Sequence, residues 1–402
     1  MNFLIITQYY PPEVGAAATR WSEYSDIIIS RGHSLTILCE LPNYPSGKIS
    51  EGYPKYWFYE EPQTSERLRI IRVPVWANAR KTTIQRLGFF TSFMMTACLR
   101  SAFLPRYDYI IVSSPPLFVG LVASFLRIFK RAKYILDLRD IWPESAHVLG
   151  EIRSNIMLSF GRLLERIVYR SADLFFLAVP GFSEYLNQKH PAHRHKKKFE
   201  LMNGVSESFS KMIVEQLDEV TQNKKFTVLF SGNIGLAQGL ETILDAAEIL
   251  INNDVEFIII GDGAKRDELI SLATANKISN VKFLSSMPRD SLVRHILGAH
   301  VCLVPLIKSP LFLNAIPSKM LEYMAASKPV IVGIQGEVEN ILTRSNGGVS
   351  IEPESATELS ATILEYKNDP NRVKREGEAG RKFIEDGMTK EVMIDKVLDD
   401  LT

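Results

Sequence analysis

Strand-like runs alternate with helix-like runs from the first residue to beyond residue 350, and nothing else in this 402-residue chain limits its fold as strongly. Such alternation selects parallel sheets covered by helices, because each parallel strand needs a crossover to re-enter its sheet. Strands are expected over residues 3–7, 34–39, 68–73, 109–113, 134–138 and 174–178, then over 226–231, 256–260, 281–284, 301–304 and 330–333. One core rarely organises more than about 250–300 residues, so two domains follow from the length. Residues 191–198, P-A-H-R-H-K-K-K, are polar, cationic and aperiodic, which puts the connection there or shortly after. The expected architecture is α/β: two Rossmann-like doubly wound domains, residues 1–198 and 199–385, facing a central cleft at the carboxyl ends of their strands. A last helix over 386–402 is available to pack back on the first domain.

Hydrophobic residues at 46% and charged residues at 23% are those of an ordinary soluble protein. Cys39, Cys98 and Cys302 stand singly in apolar runs, with neither a disulfide framework nor metal-ligand spacing, so a reducing cytoplasm is expected. The start, Met1-Asn2-Phe3-Leu4-Ile5-Ile6, has no basic n-region and does not read as a signal peptide. Residues 87–104 are apolar-rich, but Arg100 and the hydroxyls of Thr91, Ser92, Thr96 and Ser101 exclude a spanning helix.

The net charge of +1 conceals an asymmetry: residues 1–198 carry 26 Lys+Arg against 16 Asp+Glu, hence +10, and residues 199–402 carry 21 against 30, hence −9. A basic half with apolar helices suggests an anionic membrane surface as partner, and no nucleic acid is expected. Leu87, Phe89, Phe90, Phe93, Met94 and Met95, followed by Phe125, Arg127, Lys130, Arg131 and Lys133, interleave apolar and cationic residues as interfacial helices do. Core-facing helices with solvated basic ends would have the same composition.

Residues 316–330, I-P-S-K-M-L-E-Y-M-A-A-S-K-P-V, speak most directly about function. Met320, Leu321, Met324 and Ala325 fall on one helical face, and Lys319, Glu322 and Tyr323 on the other. Ser318, after Pro317, is positioned to cap a first turn whose amides, with the Lys319 ammonium, would hold an anion. Glu322, one turn deeper, is an acceptor for sugar hydroxyls. Phosphate donors beside a hydroxyl-binding carboxylate suit a nucleotide sugar, although the pattern also fits a plain solvated helix.

Other candidates lie where loops leave strands. Residues 8–18, Q-Y-Y-P-P-E-V-G-A-A-A, place Gly15 where backbone can approach a phosphate. Residues 231–239, S-G-N-I-G-L-A-Q-G, set three glycines before a helix as a phosphate cradle would, and include Asn233, Gln238 and Gly239. Gly261 opens a G-D-G-A turn. Residues 137–144, D-L-R-D-I-W-P-E, bring Asp137, Arg139 and Asp140 together after an apolar strand, as S-S-P-P-L follows another at 113–117. Charges there are costly to bury unpaired, so they either pair with one another or meet ligand.

Jointly these motifs resemble retaining glycosyltransferases of family 4, of the two-Rossmann-domain GT-B architecture, over nearly the whole chain. Residues 316–330 are similar to that family's signature helix, and the Tyr-Tyr-Pro-Pro lead-in is similar to its first loop. The D-x-R-D-x-W-P-E form resembles a bacterial O-antigen and capsule branch, in particular N-acetyl-L-fucosamine transferases using a UDP sugar. The resemblance implies sugar transfer from a nucleotide diphosphate donor, a substrate rather than a cofactor, to a lipid-linked saccharide acceptor at the inner face of the plasma membrane. It implies donor contacts from Gly15, Asn233, Gln238, Gly239, Gly261, Ser318, Lys319 and Glu322, and catalytic involvement of Arg139, Asp140 and Asn314.

Three departures qualify that picture. Arg139 stands where many relatives have histidine, Asn233 and Gln238 where the loop usually carries two basic residues, and Asn314 where the first of two signature glutamates belongs. Neutralisation of the diphosphate then falls more heavily on Lys319, Arg139 and helix amides. No D-x-D motif occurs, so metal-independent transfer is expected. Two rivals remain: a GT-B nucleotide-sugar 2-epimerase, which needs acid and base groups in the cleft, and a noncatalytic nucleotide-binding scaffold.

Overall fold

A computed structural model describes residues 1–13, 16–44, 46–62, 65–80, 82–148, 152, 154–217 and 225–401. The chain forms two compact units, Met1–Asn203 with Ile394–Thr402, and Gly204–Met393. In the first, β1 (Asn2–Ile6), β2 (Ser34–Glu40), β3 (Tyr59–Glu60), β4 (Leu68–Val73), β5 (Tyr109–Ser114), β6 (Lys133–Leu138), β7 (Leu174–Leu177) and β8 (Lys197–Glu200) build one sheet. Its order is β3-β4-β2-β1-β5-β6-β7-β8, and every pair is parallel except β3 with β4. Isoleucines stack in register at its centre, Ile5 lying between Ile37 and Ile111, all fully buried as strands covered on both faces must be.

The second unit holds β9 (Phe226–Ser231), β10 (Val255–Ile260), β11 (Val281–Leu284), β12 (Val301–Pro305), β13 (Val330–Gly333) and β14 (Gly348–Ser350), all parallel, in the order β11-β10-β9-β12-β13-β14. In both sheets the strand order reverses beside the first strand, between β1 and β5 and between β9 and β12. Loops leaving the carboxyl ends there part in opposite directions and open a crevice, so chemistry-bearing side chains on those loops are the ones to examine.

β3, β8 and β14 are strands that apolar patterning does not announce. β8 lies in the cationic stretch read as a connection, and its lysines suit an exposed edge strand. The division falls later, after Asn203. The closing helix is Lys390–Leu401, and its end belongs to the first unit: Asp395 pairs with Arg31 at 2.7 Å and the Leu401 carbonyl accepts from the Tyr109 hydroxyl at 2.8 Å.

The two segments read as interfacial helices are Thr83–Ala102 and Leu117–Lys130. A Thr82/Gln85 capping box starts the first, which buries Phe89 and Phe93 and leaves Leu87, Met95 and Leu99 exposed. The cations of the second hold neighbouring chain ends: Arg127 pairs with Asp173 at 2.8 Å, and Lys130 donates to the Ala102 carbonyl at 2.9 Å. Among the described residues no helix is long and apolar enough to cross a membrane.

Candidate active site

In the second unit three loops meet at the carboxyl end of β9. The helix Ser318–Ala325 buries Met320, Leu321, Met324 and Ala325, as its spacing requires. Tyr323, read as part of the ligand-facing side, is fully buried, and its hydroxyl accepts from the Ser231 amide at 2.8 Å. The helix thereby pins the end of β9. Ser318 does not cap: Pro317 occupies the cap position, no side chain caps the helix, and Ser318 is its exposed first residue. Proline's fixed geometry can begin a helix without a side-chain acceptor, which leaves the serine hydroxyl in solvent.

Lys319 lies half-buried with its ammonium over the Phe230 ring, 4.3 Å from the centroid. It also presses on the glycine loop, since a β-carbon at Gly232 would stand 2.6 Å from Lys319 Nζ. Burial pushes the Lys319 amine down to about 8, against the pull of Glu322. A cation stripped of part of its water beside a glycine backbone is prepared for an anion that restores the lost solvation. Glu322, also half-buried, is already engaged by the Arg289 guanidinium.

The glycine loop is built on close backbone contacts. Gly261, at φ 146°, abuts Gly232 so tightly that a β-carbon would lie 1.9 Å from the Gly232 carbonyl oxygen. Gly239, at φ 56°, is buried, and the Gln238 side chain folds back to accept from the Gly235 amide at 3.1 Å while Asn233 is exposed. Gln238 therefore spends its carbonyl oxygen on holding the loop. Gly261→Ala is expected to lower the urea midpoint of the protein by the equivalent of about 1–3 kcal/mol, the usual cost of overpacking. Gly52→Ala, at φ +86° with nothing within 4 Å of a β-carbon, is the comparison, since it carries backbone strain alone.

In the first unit Asp137, at the end of β6, is fully buried and fully satisfied. It receives Arg20 at 2.7 and 3.2 Å, Trp21 Nε1 at 3.0 Å and Ser113 Oγ at 2.9 Å. The charges of residues 137–140 thus neither pair with one another nor all turn to ligand: Asp137 takes a partner from the first helix, Ala16–Ser30. Asp140 accepts from Ser145 Oγ at 2.8 Å. Arg139 forms no ion pair among the described residues. Its guanidinium donates to the Pro115 carbonyl at 3.2 Å, its Nε is buried without a partner, and burial together with nearby Arg20 pushes it below the usual arginine range while Asp137 and Asp140 oppose that.

Elsewhere in the first unit, Glu40 is completely buried at the end of β2, its two oxygens taken by Gln8 Nε2 at 2.8 Å and Asn43 Nδ2 at 2.6 Å, and burial and Glu13 hold its carboxyl well above the usual range. Gly15 lies outside the described residues.

Lys319, Gly232 and Gly261 thus come together in the second unit with Glu322 on the same helix, whereas Gly239 packs on Ile307, Asn314 is exposed in the turn before the helix, and Arg139 and Asp140 belong to the first unit. Arg289 and Arg20 escape a sequence reading, as do the partners of Tyr323 and Asp137, two residues it names. The one signal for Arg20 was a charge adjoining the apolar positions Ala18, Trp21 and Tyr24. Among the described residues no group of three or more His, Cys, Asp or Glu is arranged to hold a metal.

Residues 15–196 match the model of the glycosyl transferase 4-like domain, and residues 215–383 match that of glycosyl transferases group 1. The chain is a glycosyltransferase of the group 1 type. Among its relatives is the Escherichia coli (strain K12) glycosyl transferase WcaI, whose description places it in colanic acid biosynthesis, 22% identical with all of both chains covered. The Pseudomonas aeruginosa glycosyltransferase WbjE is 25% identical, covering 69% of this chain and 70% of that one. Sucrose-phosphate synthase from Thermosynechococcus elongatus shares the fold at a TM-score of 0.72 and 16% identity, covering 100% of this chain and 98% of the other. Anabaena HepE in complex with UDP does so at 0.69 and 14%, covering 100% and 99%. The architecture of this group 1 glycosyltransferase is GT-B.

Proposed function

We propose that the protein transfers a sugar, with retention and without a metal, from a UDP-linked donor to a lipid-linked saccharide during synthesis of a bacterial surface polysaccharide, working in the cytoplasm at the inner face of the plasma membrane. The observation that carries the donor assignment is the Lys319 ammonium lodged against Gly232 at the carboxyl end of β9. A diphosphate seated there would meet a partly desolvated cation, loop amides and the start of a helix, and charge building on it as the glycosidic bond breaks would be stabilised by groups already in place. Glu322 offers the ribose an acceptor held in place by Arg289. The description of WcaI and the UDP complex of HepE support polysaccharide synthesis and a UDP donor, and the resemblance to N-acetyl-L-fucosamine transferases suggests that sugar. Transfer is favoured over 2-epimerisation because Glu40, the completely buried carboxyl at the end of β2, has both oxygens engaged by Gln8 and Asn43 and is not at liberty to shuttle protons.

Calorimetric titration with UDP tests the donor site. Lys319→Ala and Glu322→Ala each remove a charge-assisted contact worth roughly 1.5–3 kcal/mol, so UDP affinity is expected to fall about tenfold to a hundredfold or more. Parent-like binding in both variants would sink the assignment. Incubating enzyme, UDP-sugar and lipid acceptor then separates transfer, which releases UDP and lengthens the lipid, from epimerisation, which alters the free sugar, and from a scaffold, which does neither.

The depressed Lys319 amine adds a pH test. Below about 8 the ammonium persists and attracts the diphosphate, and above it the neutral amine predominates, so UDP affinity is expected to decline as pH rises through about 8. Lys319→Arg should flatten that decline.

A further inference from the structure

The helix Asn155–Ser171 has two faces that ask for different surroundings. Leu158, Gly161, Leu164, Val168 and Tyr169 pack inward, and Gly161 sits so close to Pro143 that a β-carbon would come within 2.8 Å of it. On the other side Ile156, Phe160, Leu163 and Ile167 are 82, 51, 51 and 42% exposed. At about 100° per residue these four fall in one narrow stripe along the helix. Arg162, Arg166 and Arg170 follow at intervals of four in the adjoining row, each exposed. At the helix's carboxyl end Arg166 and Arg170 border a hollow of about 650 Å³ shared with Lys189, His193, His195 and Lys196, and no carboxylate lines it.

We infer that this face of the first unit docks on an anionic phospholipid surface: the apolar stripe enters the acyl boundary, and the basic hollow takes lipid phosphates. Four large apolar side chains in a row are costly to leave in water, and an interfacial helix places its cations where these arginines stand, beside the apolar stripe and level with the headgroups. A second copy is a poorer occupant, since pairing two such faces would bring two rows of arginines together. Of the cations at this face, Arg162 pairs with Glu144 at 2.9 Å and Lys196 donates to the Tyr169, Arg170 and Ala172 carbonyls, so the headgroup contacts fall to Arg166 and Arg170, which form no ion pair among the described residues. On the helix Leu117–Lys130, by contrast, Arg127 and Lys130 are themselves spent on Asp173 and neighbouring carbonyls. The inference deepens the reading of a lipid-linked acceptor and rests on it for its purpose, but vesicles containing neither donor nor acceptor test it separately.

The test is co-sedimentation of the full-length protein with vesicles of phosphatidylglycerol and phosphatidylcholine in equal parts, and with phosphatidylcholine alone. The parent should bind the mixed vesicles, release with salt, and bind the neutral ones about tenfold less or weaker. F160S/L163S, and separately R166Q/R170Q, should each lower binding to mixed vesicles about tenfold or more. I249S, which alters an exposed apolar residue of the second unit, should leave it within about twofold. UDP titration of every variant guards against misfolding and should match the parent.

Parent-like vesicle binding by both double variants would overturn the inference. So would sedimentation velocity showing a parent dimer that F160S/L163S makes monomeric, which would assign the stripe to a second copy. If the parent docks through this stripe yet no lipid-linked saccharide is extended, the acceptor reading fails and the docking surface stands.

Discussion

Asp137→Asn is expected to destabilise the protein by about 3–5 kcal/mol, the cost of removing one partner from a buried ion pair. Arg20 and Asp137 are both fully buried, and Arg20 also donates to Asn203 Oδ1 at 2.8 Å and to the Leu201 carbonyl. Neutralising the aspartate leaves a guanidinium in a dry interior with its charge uncompensated, whereas the carbonyl and amide contacts are too weakly polar to replace a carboxylate. Urea unfolding followed by circular dichroism reads the loss. The double change Arg20→Leu/Asp137→Asn should recover part of it, because a neutral interior no longer holds an unmatched charge, and non-additivity between the single and double variants reports the coupling. A midpoint for Asp137→Asn within a few tenths of a kcal/mol of the parent's would show that the pair contributes nothing net.

Arg139→Lys should separate catalysis from folding in the opposite sense. Among the described residues the guanidinium has one hydrogen bond, to Pro115, and an unpartnered buried Nε, so little of the fold depends on it. We propose that Arg139, a cation at the end of β6 with a donor to spare, stabilises charge that develops during transfer. Lysine keeps the charge and loses the planar fork of donors. Turnover is expected to drop about a hundredfold, on the scale of one preorganised electrostatic contact, with the melting temperature near the parent's. Near-parent turnover in a folded Arg139→Lys protein would remove Arg139 from the mechanism. Matched losses of activity and stability would instead make it a structural residue.

Periodicity located what depends on nearest neighbours. Four strands, Leu68–Val73, Phe226–Ser231, Val281–Leu284 and Val330–Gly333, have the bounds that their apolar runs suggest. The short β3 and β14 have no such run, and β8 hides in a lysine-rich stretch because an edge strand need bury only one side. On the helix Ser318–Ala325 the apolar face was legible, but Tyr323 was not. An angular rule groups it with Lys319 and Glu322, and only the Ser231 amide and hydroxyl, 92 residues earlier in the chain, supply a partner that lets a tyrosine hydroxyl be buried there. The same holds for Asp137, whose partner Arg20 is 117 residues away. Local pattern shows that a charge after an apolar strand must be compensated, but not by which residue. Glu322 was legible as a ligand-side carboxylate, while Arg289, which orients it, sits on another helix, Arg289–Gly298, whose own pattern marks it only as a solvated first turn.

The two units are not laid out end to end along the chain. Residues 394–402 complete the first unit, where Asp395 holds Arg31, Leu401 receives Tyr109 and Asp400 meets Lys197. During synthesis the Gly204–Met393 unit therefore has its full set of residues before the earlier-made one does. An emerging chain must carry an amino-terminal sheet that lacks this helical segment until residues 394–401 have been made. A stop at residue 394 would thus injure the part of the protein made first.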